Sequence, residues 1–244
     1  MYIDSEKIVP ALRVNNRSMN QDFFEQDLGL KTILEDGPFA EFSGHGYKES
    51  QLVLIESPSM RTRAVKGLKK LAKIIIKVEN TLEVEALLAR GSRFTKLFQG
   101  KNGYAFETVT PEKDTFLLHG EEDIAALKEI LPPVDFKKTA DFSGLTAFTV
   151  EKIIINSPQA DNSRTFYDQI LPDQSVLSFQ EAEGEDLLAP ADSTWDLDSL
   201  RFKVAADMDW TDLEGKLQGD FFKDKKETFI QATDPSGIEL WFEK

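Results

Sequence analysis

The feature that most constrains this chain is a unit of one strand, one helix and three further strands that occurs four times. The first copy begins near Leu12, where apolar residues at alternate positions predict a half-buried strand. A helix follows, with a capping box of Ser18 and Gln21 at its start and Gly29 at its end. Three short apolar segments bounded by turn residues complete the copy, so its predicted order is βαβββ.

The same order of signals returns three times in the rest of the sequence. The later copies begin with apolar strands near Ala72, Phe148 and Leu200. In the second copy, Asn80 precedes a helical pattern that ends at Gly91. Because each copy predicts the caps and breaks of the next, the repeat indicates an architecture more strongly than any single segment does.

The repeat predicts the fold class and the domain organisation. One βαβββ unit cannot bury both its helix and its sheet, so two copies are expected to pair, with helices outside and a concave sheet inside. Four copies then predict an α+β fold of two such domains. The predicted boundaries are 1–120 for the N-terminal domain, 121–146 for a linker and 147–244 for the C-terminal domain. Apolar residues with helical spacing in 124–131 predict a short helix in the linker.

Composition narrows the chemistry and the partners. The chain has 244 residues and a formal net charge of −14, which predicts repulsion from nucleic acid and from anionic membranes. The absence of cysteine excludes disulfides, thiolate metal sites and a cysteine nucleophile. No apolar run approaches the length of a membrane span. The first ten residues lack a signal-peptide pattern, which predicts a cytoplasmic location and leaves open the cell surface or secretion by a non-classical route.

Two segments resemble a known fold family. The stretch Leu12–Leu30 carries L-R-V-N-N, F-F and L-G-L in order, and Asp234–Leu240 reads D-P-S-G-I-E-L. With the repeat, they resemble the vicinal oxygen chelate fold, also called the glyoxalase/bleomycin-resistance/extradiol-dioxygenase fold, over essentially the whole chain outside the linker. The basic segment Ser59–Lys73 and the acidic C-terminal part narrow the resemblance to the CppA family. That resemblance implies a proteinase of Gram-positive cocci that degrades complement C3.

The resemblance also allows a metal site to be tested. Metal-dependent members of the fold hold ligands on the first strand and the closing strand of their copies. The corresponding positions here are Val9, Lys73, about Val150 and Ser199 on first strands, with Leu117 and Glu239 on closing strands. A lysine ammonium ~4 Å from a dication is repelled by roughly 8 kcal/mol at an effective dielectric of 20. Since one carboxylate does not hold a transition metal, we expect no metal, no cofactor and no metal-dependent glyoxalase or dioxygenase activity.

The candidate ligand cleft consists of Lys73, Glu151 and Glu239. Lys73 and Lys77 fall on one face of their strand; if that face is the concave one, they would receive a carboxylate or the acidic part of a protein partner. Glu151 stands one place away from the ligand position of the third copy. Glu239 is read either as an outward strand residue or as a polar contact in a metal-free cleft.

No familiar protease motif occurs in the sequence. H-E-x-x-H and G-x-S-x-G are absent, and the strings D-F-S-G and D-P-S-G are one residue longer than D-[ST]-G. The chain has two histidines, His45 and His119, which are therefore the candidate catalytic residues, as part of an unusual Ser–His pair. The simpler interpretations are a loop residue between two glycines for His45 and a surface residue at a strand end for His119.

Two charge clusters suggest a route to self-association. A basic run between Arg61 and Lys77 is most simply a solvated linker, and the acidic run Glu181–Asp186 is most simply a solvated hairpin tip. Alternatively, the basic run of one molecule meets the acidic tip of another, which would give a homodimer.

Three functions therefore stay open at the level of sequence. The family resemblance implies a complement C3-degrading proteinase whose mechanism is unrecognised. The residues themselves favour a metal-free binding protein for a peptide or small ligand in the concave sheet. The third is an interaction protein whose two domains form one surface. The expected partner is a protein or peptide substrate, with complement C3 as the one that the resemblance implies, and neither nucleic acid nor a membrane is expected.

Overall fold

The computed structural model describes residues 3–132, 134–217 and 219–244, so Met1, Tyr2, Pro133 and Gln218 of the predicted domains and linker lie outside the described residues. The helices and strands, in chain order, are β1 (Ile3–Val14), α1 (Arg17–Gln26), β2 (Lys31–Asp36), β3 (Phe39–Ser43), β4 (Leu52–Glu56), β5 (Leu71–Val78), α2 (Thr81–Arg90), β6 (Lys96–Gln99), β7 (Tyr104–Val109), β8 (Thr115–His119), β9 (Lys128–Ile130), β10 (Phe148–Ser157), α3 (Ala160–Ile170), β11 (Leu177–Glu181), β12 (Leu197–Val204), α4 (Thr211–Glu214), β13 (Phe222–Lys223), β14 (Phe229–Thr233) and β15 (Glu239–Glu243). The strands of these residues form two sheets, and the fold is α+β as predicted. Within the same residues, no helix is both long and apolar enough to cross a membrane.

Residue contacts divide the chain into two compact units. The first comprises residues up to Asn15, Ser57–Ala72 and residues from Lys152 onward, and the second comprises Asn16–Glu56 and Lys73–Glu151. Each unit is therefore assembled from separate stretches of sequence. The boundaries 1–120 and 147–244, which follow the sequence copies, stay a prediction.

In the first unit, five strands follow one another in the order β13–β14–β15–β12–β1. β1 pairs antiparallel with β12, and Val9 lies opposite Arg201. β12 pairs parallel with β15, and Arg201 lies opposite Trp241. The stacked rings of Phe202 and Phe242 are fully buried on one face, whereas Arg201 and Trp241 are half-buried on the other. Because side chains alternate along a strand, this second face carries every other residue of β12 and β15.

In the second unit, the order β5–β8–β7–β6–β9 positions the candidate residues. α2 packs on β7 and β8. Ile74 and Ile76 of β5 are fully buried, while Lys73 and Lys77 are half-buried on the opposite face of the strand. β5 pairs parallel with β8, which places Lys77 opposite His119. We call this second face, which carries Lys73, Lys77 and His119, the charged face.

The start of α1 differs from the prediction. Its N-cap is Asn16, whose side-chain oxygen accepts the backbone N–H of Met19 at 2.9 Å. The predicted capping box of Ser18 and Gln21 is wrong because Asn16 already satisfies that first turn, and Ser18 lies inside the helix. In contrast, Asn80 caps α2 as predicted.

The helix predicted between residues 124 and 131 is wrong in extent. The structure has one 3-10 turn at Ile124–Ala126, followed by β9. β9 pairs antiparallel with β6, with Leu97 opposite Ile130. Pairing with a neighbouring strand satisfies the backbone of this segment, and a short apolar run does not by itself distinguish a helix from a strand.

Candidate functional site

The charged face begins with an ion pair between neighbouring strands. Lys73 of β5 donates through Nζ to Oε2 of Glu107 on β7, and Nζ of Lys96 lies 3.8 Å from Oε1 of the same carboxylate. Glu107 is only 9% exposed, so its charge is held between two lysines inside a largely apolar strand. Burial of an unpaired carboxylate is costly, and the two ammonium groups offset that cost.

His119 is the centre of a buried hydrogen-bonded group. Its Nδ1 accepts the backbone N–H of Glu121 at 3.2 Å, so Nε2 carries the proton of the neutral ring and donates to Oε2 of Glu151 at 2.9 Å. The His119 side chain is fully buried, which corrects the expectation of a surface residue at a strand end. The register places His119 within the sheet, opposite Lys77, and the backbone of Glu121 and the side chain of Glu151 occupy its two ring nitrogens. The structure therefore brings together two candidate residues, His119 and Glu151, that lie 32 positions apart.

Lys77 carries the most accessible ion pair of the charged face. Its Nζ lies 2.9 Å from Oε2 of Glu122, and the two side chains are 28% and 85% exposed. The hydrogen bond to Glu122 raises the pKa of Lys77, and Glu151 acts in the same direction. The same bond lowers the pKa of Glu122. Lys77 is therefore charged and reachable from solvent, while its partner Glu122 reaches it from an exposed position.

His45 lies in the loop between β3 and β4, in the same unit. Its backbone N–H donates to the carbonyl oxygen of Leu145 at 2.8 Å, so the loop is hydrogen-bonded rather than free. Burial lowers the pKa of His45, and the charges of Lys31 and Arg90 act in the same direction. The ring is therefore neutral at pH 7.

Glu239 belongs to the first unit, whereas Lys73 and Glu151 belong to the second. It stands opposite Ser199 of β12. Its Oε2 accepts the side-chain amide of Gln231 at 3.0 Å and the indole N–H of Trp241 at 3.1 Å. The carboxylate therefore serves to fix a tryptophan.

The basic and acidic runs meet within one chain. Arg63 donates two hydrogen bonds of 2.6 Å to Asp186, and Lys66 forms an ion pair with Glu185 at 3.0 Å. The hydrogen bonds from Arg63 lower the pKa of Asp186 to about 2. Asp186 is buried, so the predicted solvated tip is wrong at this residue. A homodimer stays a prediction, but these groups are already occupied by each other.

The residues at the metal-ligand positions of the fold do not fit a metal. Val9, Val150 and Leu117 have no side-chain donor atom, and Lys73 is bound to Glu107. Glu239, which lies opposite Ser199, is hydrogen-bonded to Gln231 and Trp241. Within residues 3–132, 134–217 and 219–244, no three His, Asp or Glu side chains are grouped so that they could hold a metal ion. No step of the proposed function is therefore assigned to a metal.

Sequence reasoning missed three side chains that take part in these contacts: Glu107, Glu122 and Trp241. A signal existed for Glu107, which is a single acid inside the apolar strand Y-A-F-E-T-V. Glu122 and Trp241 gave no comparable signal, because their roles depend on contacts across strands and loops that only the folded register provides.

Comparison with known proteins identifies relatives over the full length. The CppA N-terminal family model matches residues 7–130, and the CppA C-terminal model matches residues 145–242. The crystal structure of cppA protein from Streptococcus pneumoniae TIGR4 is 37% identical, with a TM-score of 0.89 and coverage of 99% of each chain. No curated protein matches this chain.

Two more distant structures match the fold. A candidate dioxygenase from Bacillus subtilis is 12% identical, with a TM-score of 0.61 and coverage of 96% of this chain and 83% of that chain. Glyoxalase I from Zea mays is 11% identical, with a TM-score of 0.59 and coverage of 97% and 91%. At such identities these structures show the fold alone, and they confirm the glyoxalase-like, vicinal oxygen chelate fold predicted from the sequence.

Proposed function

The chain belongs to the CppA family, and on that premise we propose that it is a metal-free binding protein whose charged face holds a carboxylate-bearing peptide segment of a protein partner. One observation carries the proposal: Lys77 is a charged, half-buried lysine whose partner, Glu122, is 85% exposed. Exposed ion pairs contribute little to stability, so a ligand carboxylate replaces Glu122 at small cost.

The neighbours of Lys77 restrict what the face accepts. Glu107 and Glu151 keep their places because Lys73 and His119 hold them. Glu151 remains partly exposed and repels a second carboxylate, so a ligand group near it must donate a hydrogen bond. A peptide satisfies both demands, with a side-chain or terminal carboxylate for Lys77 and a backbone N–H for Glu151.

Binding of complement C3, the partner that the family resemblance implies, tests the proposal. The full chain is immobilised and C3 is passed over it. We expect Lys77→Ala to weaken binding about tenfold, because the charge-assisted contact of a half-buried lysine is lost. The matched control is Lys48→Ala, which removes an exposed lysine of the same unit and is expected to leave affinity within about twofold. Equal affinities of wild type and Lys77→Ala, or equal losses in both variants, contradict the proposal.

The second candidate function is the C3-degrading proteinase itself. The observation in its favour is the pair of Glu151 and His119, since an imidazole oriented by a carboxylate is a common general base. Against it, Glu121 occupies the other ring nitrogen and the ring is fully buried, which leaves no nitrogen to accept a proton from a nucleophile.

Incubation of C3 with the purified full chain distinguishes the two functions. Binding without new C3 fragments supports the binding protein. If wild type cleaves C3 and folded His45→Ala or His119→Ala does not, the function is that of the proteinase and not of the binding protein. Cleavage that persists in the double variant also refutes a pure binding function, and it removes both histidines from the mechanism.

A further inference from the structure

A hollow of about 290 Å³ lies between α2 and the segment 138–142 that runs beside it. Both walls belong to the second unit, and the hollow is lined by Ala86, Ala89, Arg90, Lys138, Thr139 and Phe142. Ligand pockets commonly measure about 300–1,000 Å³, so this volume suits a small molecule rather than a peptide. We call this hollow the helix pocket.

Side chains of α2 hold the neighbouring segment on both sides of the helix pocket. The carboxylate of Glu85 accepts the backbone N–H of Lys137 at 2.9 Å. The carboxylate of Glu83 accepts the backbone N–H of Thr146 at 2.8 Å and its hydroxyl at 2.6 Å. Between these two anchors the helix presents alanines three positions apart, which share one face. Small side chains between fixed ends leave the space open, so the pocket is formed before a ligand arrives.

Arg90 is fixed at one end of the helix pocket. Its guanidinium group donates to the carbonyl oxygens of Glu25 at 3.1 Å, Gln26 at 2.8 Å and Ser143 at 3.4 Å. Its central carbon lies 5.3 Å from the ring centroid of Phe142. Since a guanidinium group has five N–H donors, these three carbonyls do not exhaust its capacity to bind a ligand.

The charge of the helix pocket selects an anion. Arg90 and Lys138 are cationic, and none of the lining residues that the structure describes is acidic. Burial lowers the pKa of Arg90, while the charge of Asp27 acts in the opposite direction. An anion bound beside Arg90 therefore stabilises its charged form. This cationic pocket occurs in a chain whose formal net charge is −14.

A second hollow of about 270 Å³ orients the ligand. It continues along α2 towards the start of the helix, and it shares Ala86, Thr139 and Phe142 with the helix pocket. Glu83 and Asp141 also line this second hollow. The two acids repel a carboxylate, so the anionic end of a ligand lies at the cationic end of the helix pocket. The alanine and phenylalanine surface in between suits an apolar body.

We propose that the helix pocket binds a small carboxylate with an apolar body, with the carboxylate beside Arg90 and Lys138 and the body against Phe142. This inference goes beyond the proposed function, because the pocket has other residues than the charged face and accepts a small molecule instead of a protein segment.

Titration of the full chain with 3-phenylpropanoate tests the inference, with backbone amide shifts followed by NMR. We expect saturable shifts in the segment 138–142. Lys138 is exposed, and Lys138→Gln is expected to weaken binding about fivefold, because one of two cations is lost. The matched control is Lys137→Gln, which removes the same charge from the neighbouring residue and keeps the backbone N–H that Glu85 binds. It is expected to change affinity less than about twofold.

A second variant fills the pocket and leaves its charges in place. Ala89 is half-buried on α2, and leucine is also a good helix former. We expect Ala89→Leu to weaken binding at least about tenfold while the urea midpoint stays unchanged, which excludes misfolding as the cause. Two further probes separate the parts of the ligand. The uncharged 3-phenyl-1-propanol and the small anion acetate are each expected to bind at least about tenfold more weakly than 3-phenylpropanoate.

Each other outcome overturns the inference in a recognisable way. Equal affinity for the alcohol excludes the role of charge, and equal affinity for acetate excludes the apolar contact. Equal losses in Lys137→Gln and Lys138→Gln, or full binding by Ala89→Leu, exclude the helix pocket as the site. Shifts confined to the charged face and abolished by Lys77→Ala would place the carboxylate in the site of the proposed function instead. Loss of C3 binding in Lys77→Ala with unchanged binding of the probe would separate the two sites.

Discussion

The charged face of the second unit and the half-buried face of the first unit that carries Phe222, Phe229 and Trp241 belong to copies of the same βαβββ repeat but differ in chemistry. On the charged face, Lys73, Lys77 and His119 each have a carboxylate partner. On the other face, the carboxylate of Glu239 binds a tryptophan and an amide. Strand alternation decides where a side chain points, whereas the residue at that place decides whether the face recognises charge or apolar surface.

The comparison predicts that the most buried polar group of the charged face is structural. We expect His119→Ala to lower the free energy of unfolding by about 3 kcal/mol, because it leaves a cavity and removes the partner of Glu151. Urea unfolding at pH 7 measures the change. His45→Ala is the matched control and is expected to cost less than about 1 kcal/mol, since that ring lies in a loop. A loss below that of His45→Ala would show that His119 is free for another task.

The ion pair of Lys73 and Glu107 on the same face should behave as one unit. We expect Glu107→Ala to lower the free energy of unfolding by about 2 kcal/mol, because Lys73 is left half-buried beside a lost partner. Urea unfolding measures this, with the exposed Glu129→Ala as control. The double variant Lys73→Met/Glu107→Leu is expected to recover most of the loss, since apolar residues of similar size replace a buried pair well. Additive losses would contradict the pairing.

The first unit contains a buried acid, Asp234, whose contribution to stability should change with pH in the opposite sense to that of a surface ion pair. Asp234 accepts the backbone N–H groups of Ser236 and Ile238 and the hydroxyl of Tyr167, in the turn that leads to β15. Burial raises the pKa of Asp234 to about 6, above its ordinary value of 3.8. The folded state therefore takes up a proton before the unfolded state does, and this group stabilises the fold as pH falls from 7 to 5.

The expected size of this effect is about 1 kcal/mol between pH 7 and pH 5, relative to Asp234→Asn. Urea unfolding of both proteins at the two pH values isolates the contribution, because other titrating groups are common to both. A wild type that loses stability relative to Asp234→Asn as the pH falls would contradict the raised pKa.

The smallest effect on stability is expected at the ion pair of Lys77 and Glu122, in which the proposed ligand takes the place of Glu122. Glu122→Gln should leave the urea midpoint unchanged, because the carboxylate is exposed and exposed ion pairs contribute little to stability. It should lower the pKa of Lys77, which the hydrogen bond with Glu122 now raises. Lysine side-chain NMR measures that pKa. A large fall in the midpoint would mean that Glu122 is structural and is not available for exchange.

The sequence predicted the architecture better than its local details. The repeat gave the α+β class, and Asn80 and Gly91 mark α2 because capping and a left-handed glycine are local requirements. The capping box at Ser18 was wrong because Asn16 caps the first turn of α1 instead. The linker helix was wrong because most of that segment pairs with β6 as a strand. Local chemistry identifies a helix end reliably only where no neighbouring residue or strand offers the same hydrogen bonds.

The site was predictable only where it depends on alternation along one strand. Lys73 and Lys77 share a face because their spacing is even. The contact between His119 and Glu151 needs the register of separate strands, which no local pattern encodes. For the same reason, Glu239 could be named as a candidate while its role with Trp241 could not.

The split of the chain into two units has a consequence for its synthesis. All stretches of the second unit have been made once Glu151 has left the ribosome, so that unit can complete its contacts while translation continues. The pairing of β1 with β12 must wait for β12, and Arg13 meets Asp198 across 185 positions of chain. The ladder between these two strands is thus a late step in the completion of the first unit.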